Sequence, residues 1–132
     1  MRKSKFTEPY KKVNKQDKTN FRNTWKQSGA YIIKDKNTNK ILYVGSSGTN
    51  LYKTMYRHFQ SWEDKQKRAV YGKYKTKVRV ILTSPQRARN LEIGLVKKYS
   101  PRDIDNKYRQ LEINYNIKKA ERDYKEADII PF

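Results

Sequence analysis

Along residues 29–47, GAYIIKDKNTNKILYVGSS, two short apolar runs flank a polar turn. Tyr31 and Ile33 alternate with Ala30 and Ile32, and Ile41 and Tyr43 alternate with Leu42 and Val44. DKNTN between them is rich in turn formers, so the pattern predicts a β-hairpin. A turn centred near Asn37 sets Tyr31 opposite Tyr43 and Ile33 opposite Ile41, all on one surface, because strand side chains alternate with a period of two. From Asn50 to Trp62, Leu51, Met55, Phe59 and Trp62 recur at helical spacing and predict a helix with one apolar stripe. Residues 63–75 read as a basic loop containing tyrosines, and Lys77 to Thr83 (KVRVILT) as a third strand. Ser84 and Pro85 suit an N-cap and a first helical position, opening a helix that runs to about Tyr99 and stops before Pro101. The order is ββαβα. It describes an α+β fold with a small antiparallel or mixed three-stranded sheet flanked by helices. The last segment fits a helix through Tyr108, Leu111 and Tyr115 or a strand through Ile113, Tyr115 and Ile117, with helix favoured from about residue 116.

Composition sharpens this outline. A chain of 132 residues suits one compact domain, and 35% hydrophobic against 34% charged residues leaves only a small core. The formal charge of +19, from 32 basic and 13 acidic side chains, points to a polyanionic partner, above all nucleic acid. No apolar stretch is long enough to span a bilayer, and residues 1–28 lack the apolar core of a secretory signal, so no membrane role and a cytoplasmic location are expected. With no cysteine, thiolate metal sites and disulfides are excluded. Residues 1–27 hold nine basic side chains against Glu8 and Asp17 and show no clear period. They are expected as a basic arm, disordered alone, with Phe21 and Trp25 able to pack back onto a domain spanning 28–106. In the extension 107–132, six basic residues nearly balance five acidic ones.

On a helical wheel of the second helix, Ala88, Leu91, Leu95, Val96 and Tyr99 gather on one side, and Glu92 lies among them. A carboxylate on a buried face is costly unless it is paired, hydrogen-bonded or bound to a cation. A structural ion pair and a functional site both satisfy that requirement.

GAY, YVG, a helix, a strand and the helix ARNLEIGLVKKYSP together resemble the GIY-YIG nuclease family over about residues 28–106. Gly29, Ala30 and Tyr31 stand for GIY, and Tyr43, Val44 and Gly45 for YIG. The family's catalytic glutamate falls on Glu92, the residue the wheel singles out. The resemblance implies an endonuclease that hydrolyses DNA phosphodiesters with one divalent cation, Mg2+ or Mn2+, held by Glu92. Hard cations suit a carboxylate and water, and can polarise a phosphate. Tyr31 would orient or deprotonate the attacking water, which a phenol of ordinary pKa near ~10 does only beside positive charge. Tyr43 would hydrogen-bond the water or the phosphate. The competing reading for both is packing of amphipathic rings on a half-buried sheet. Gly45 is expected to allow close backbone approach at the strand end.

The family also carries an arginine on the helix after YIG, and here the sequence departs. Counting from Tyr43 reaches Lys53, and counting back from Phe59 reaches Thr54. Arg57, one turn further on, is favoured over Lys53 because a planar fork grips phosphate at two points. If neither serves, the chain is a catalytically inactive nucleic-acid-binding module with the same fold. His58, the only histidine, reads as a proton relay or as a satisfied core residue. Asn106 best matches the family asparagine that follows the glutamate helix, with a positioning role, while Asp105, Asn114 and Asn116 stay open as alternatives and a simple turn residue is the competing reading. Tyr71, Lys73, Tyr74 and Lys75 mix rings and ammoniums suited to base stacking and phosphate contact, and join Lys53 and Arg57 as candidate nucleic-acid contacts. The expected substrate is double-stranded DNA, cut on both strands only by a homodimer or by rebinding. A phage or mobile element is the conjectured origin.

Overall fold

The computed structural model describes residues 1–60, 70–99, 123–125 and 127–130, the last three by backbone alone. The predicted hairpin forms from β-strands at Gly29–Asp35 and Ile41–Ser47, numbered β4 and β5 because three strands precede them. Asp35 builds its turn: the carboxylate accepts the N–H groups of Asn37 and Thr38, the Asp35 carbonyl accepts that of Asn39, and Asn39 takes the left-handed conformation at φ 61°.

The register differs from the expected one. Tyr31 lies opposite Gly45 and Ile33 opposite Tyr43, with an irregularity where pairing passes to Lys34 and Ile41. Leu42 is the extra residue of this bulge, and it joins Tyr43 on the face that Ile41 and Val44 leave. The turn centre moves by one residue, so the two tyrosines share a face as expected but sit diagonally.

A strand at Thr76–Leu82, β6, pairs antiparallel with β4 and completes the expected three-stranded core. The sheet then extends further. A strand at Arg2–Ser4, β1, pairs antiparallel with β6, and one at Asp128–Ile130, β7, pairs parallel with β1, giving the order β5-β4-β6-β1-β7.

Residues 1–27, expected as a disordered arm, are therefore folded. Besides β1 they form a small separate hairpin of Tyr10–Val13 (β2) and Gln16–Thr19 (β3). The cause is aromatic burial: Phe21 is 0% exposed, and Tyr10 joins the same core. The Tyr56 hydroxyl donates to the Pro9 carbonyl (2.7 Å) and accepts from the Asn20 and Phe21 N–H groups (3.1 Å each). Three such bonds contribute about 1 kcal/mol each.

Two cores lie on the two faces of the sheet. Tyr31, Ile33, Val78 and Val80 pack on one face against a helix at Leu51–Tyr56, α1. The other face packs Ala30, Ile32, Val44 and Ile81 against Leu91, Leu95 and Val96 of a helix at Pro85–Tyr99, α2. Asn50 caps α1 by accepting the Lys53 N–H, but the helix is shorter than its apolar spacing predicts. After Tyr56 it tightens into a 3₁₀ turn at Arg57–Phe59 and then extends at Gln60. The His58 carbonyl accepts the Tyr71 N–H at 2.7 Å, taking the acceptor a continuing helix would use. Trp62 lies outside the described residues, as do residues 116–122 of the helix favoured from about residue 116 onward; the described remainder is helical at 123–125 but turns into the strand β7 at Asp128–Ile130.

Candidate active site

The phenol of Tyr31 is positioned by β4 and by an absent side chain opposite it. A Cβ on Gly45 would overlap Tyr31 Cζ and Oη, so glycine is what lets the ring lie across β5. The ring is 1% exposed, and its hydroxyl meets His58 Nε2 at 2.7 Å. His58 reaches it because the 3₁₀ turn after α1 directs the imidazole, 4% exposed, toward the sheet. Tyr43 completes the group: its ring stacks on Tyr31 at 6.0 Å and 21°, and lies 4.4 Å from the imidazole. Tyr43 is the least covered of the three.

A fourth ring belongs here that sequence reasoning placed elsewhere. Tyr71 is buried, 5.9 Å from the His58 ring and 6.4 Å from that of Tyr43. It cannot offer a face for base stacking, the role expected of it, because the apolar core absorbs it. The backbone bond from Tyr71 to His58 fixes both the ring and the histidine. The clue in the sequence was faint, since a tyrosine inside a basic loop carries no period.

The other expected loop contacts are also engaged. Tyr74 donates to the Asp17 carboxylate at 2.5 Å, Lys73 pairs with the same carboxylate at 3.3 Å, and Lys12 does so at 3.0 Å. These partners hold Asp17 down to about 2, with the Tyr74 hydrogen bond first among them, and the same bond pushes Tyr74 up to about 12. Lys75 is exposed. So are Lys53 and Arg57, and the Lys53 ammonium sits 5.4 Å over the Trp25 ring.

Glu92 is 3% exposed on α2, one turn from Ala88 and from Val96 on the stripe that faces the sheet. That helix packs on β4 and β5, the strands that carry the two tyrosines, but from the face opposite the Tyr31 ring, and β5 is the edge strand of the sheet. Among the described residues no group of three or more His, Cys, Asp or Glu could form a dedicated metal cage. A single buried carboxylate fits an ion such as Mg2+, which keeps several waters and takes its remaining ligands from substrate phosphates. Asn106 lies outside the described residues.

The structure thus brings Tyr31, Tyr43 and His58 together and adds Tyr71. A phenol hydrogen-bonded to an imidazole can pass a proton between them, which is the chemistry of acid–base catalysis near neutral pH. The family model described as the GIY-YIG catalytic domain matches residues 27–109. Among curated proteins, none matches the chain.

Proposed function

The chain belongs to the GIY-YIG family, a family of nucleases, and on that premise we propose that it is an endonuclease hydrolysing DNA phosphodiester bonds with one divalent cation, Mg2+ or Mn2+. The observation that carries the proposal is the 2.7 Å contact between Tyr31 Oη and His58 Nε2 inside a cluster of rings. Tyr31 donates its phenolic proton to a neutral imidazole protonated at Nδ1. As water attacks phosphorus and the bond to the leaving oxygen breaks, Tyr31 Oη takes the proton of the water while its own passes to Nε2. His58 ends as imidazolium, and the leaving oxygen takes a proton from solvent. This removes the difficulty of a phenol acting as base, because the imidazole accepts the proton the ring gives up. Tyr43 orients the water or the phosphate.

Glu92 would hold the cation, which when bound polarises the phosphoryl oxygens and offsets charge on the leaving oxygen. Arg57, or Lys53 in its place, grips a neighbouring phosphate, and Lys73, Tyr74 and Lys75 extend that contact. Asn106 positions the end of the glutamate helix. The substrate is double-stranded DNA, cut on both strands by a homodimer or by two encounters, in the cytoplasm of a phage-infected or element-bearing cell.

One observation favours a second reading, a silent nucleic-acid-binding module: α1 carries no arginine between residues 51 and 56, where the family places one. Incubating wild type and Glu92→Ala with supercoiled plasmid in Mg2+, Mn2+ or chelator separates the two. Nicking by wild type that stops on chelation and in the variant supports the enzyme. Salt-sensitive binding without nicking supports the module.

A further inference from the structure

α2 covers β4 and β5 on its face of the sheet, and beyond its edge that face becomes cationic. Lys34 of β4 and Lys77 of β6 are direct cross-strand partners, and like charges placed opposite one another destabilise a sheet. Arg79 follows on β6, Lys3 on β1, and Lys98 at the end of α2. Two rings interleave them. Lys34 Nζ lies 4.1 Å and Arg79 Cζ 4.5 Å from the Phe6 centroid. Lys3 Nζ lies 4.2 Å, Arg79 Cζ 5.6 Å and Lys98 Nζ 5.7 Å from that of Tyr124. Arg79 also donates to the Tyr124 hydroxyl.

Among the described residues no carboxylate forms an ion pair with any of the five. Lys3 is only 9% exposed. Burial and then its neighbours Arg79 and Lys98 hold its ammonium below the ordinary lysine range, and burial followed by Lys77 and Arg79 does the same to Lys34. Ring faces hold these cations in place but leave the net charge standing.

We infer that this face is a second phosphodiester-binding track, on the side of the sheet away from the Tyr31–His58 cluster, built to take the backbone of a nucleic acid. The claim rests on the nuclease reading only for the identity of the polyanion. Lys34, Arg79 and Lys3 stand on three adjacent strands, each stepped two residues along the sheet from the last, so they form a diagonal row of cations that complements a polyanionic backbone. A membrane surface fits less well, because it calls for exposed apolar side chains. Among the described residues the exposed large hydrophobics are Val13 and Trp25, on the β2–β3 hairpin and beside Tyr52, not on this face.

The test measures binding of the full chain to a 30-base-pair duplex in chelator, across a salt series, for wild type, Lys34→Gln/Lys77→Gln and Lys98→Gln. Each lost phosphate contact lowers the slope of log affinity against log salt by about 0.9. The double variant is expected to lose about 1.8 of slope and at least tenfold in affinity at low salt, and to melt no lower than wild type, since repulsion is relieved. Lys98→Gln should lose about half as much. Failure of the nuclease reading appears in nicking, and failure of this one in the salt slope. Unchanged slopes in both lysine variants overturn the inference. So does a loss of binding to phosphatidylserine vesicles in the variants with duplex binding intact.

Discussion

The ring of Tyr31 occupies the space that a side chain on Gly45, its cross-strand partner, would fill. Gly45→Ala must therefore displace a buried aromatic ring, and with it the hydroxyl that meets His58. Overpacking of this kind costs about 1–3 kcal/mol. The expected outcome is a lower Tm together with a loss of plasmid nicking of about 100-fold, the penalty for a misplaced catalytic group. Wild-type nicking with an unchanged melt would show that the ring has room to spare.

Tyr31→Phe keeps the ring and removes the shared proton. The loss to stability is about 1 kcal/mol, whereas nicking should fall about 100- to 10,000-fold. If Tyr31 and His58 act as one proton-transfer unit, as proposed, Tyr31→Phe/His58→Ala should cost about as much as the worse single change. Rate losses that multiply would separate the two residues into independent roles.

The contact between Asp17 and Tyr74 gives the β2–β3 hairpin a pH window. Asp17 is held down to about 2, so its contribution to stability is present above the unfolded carboxyl value near 4 and disappears as pH falls through 2. Tyr74 is pushed up to about 12, so its contribution is full below the ordinary phenol value near 10 and is lost as pH rises through 12. Melts of wild type and Tyr74→Phe should therefore differ between about pH 4 and 10 and converge at both extremes. A constant difference from pH 2 to 12 would mean that the bond does not couple to folding.

Tyr56→Phe removes the hydroxyl that serves Pro9, Asn20 and Phe21 at once. Leaving buried backbone groups unserved costs about 1–3 kcal/mol. Amide hydrogen exchange should show protection lost first at Asn20 and Phe21, ahead of β4 and β6. Loss spread evenly over the sheet would place the bond at the heart of global stability instead.

What the sequence conveyed followed its periods. β4, β5 and β6 are seven residues long and α2 is fifteen, enough for alternation or a wheel to show, and the wheel alone marked Glu92 as a buried acid. The hairpin register was missed because the bulge at Leu42 adds one residue without changing the apolar pattern. The strands of residues 1–27 have three or four residues each, mostly charged and exposed, too few for any period to emerge. Tyr71 was read as a surface ring because lysines follow it at 73 and 75, yet one backbone bond to His58 draws it inward. The sequence favoured a core role for His58 over a proton relay, and no period in it showed that the imidazole meets the Tyr31 hydroxyl at 2.7 Å.

The place of β1 in the sheet bears on how the chain is made. Arg2 pairs with Leu82 and with Asp128, so β1 can reach its native neighbours only after residues far downstream of it have been made. Pairings so distant in sequence are slow to close. Until β6 emerges, Phe6, Tyr10 and Phe21 travel on a strongly cationic nascent segment without the partners that bury them. Synthesis rate and chaperone supply, more than intrinsic stability, should then govern the yield of folded protein.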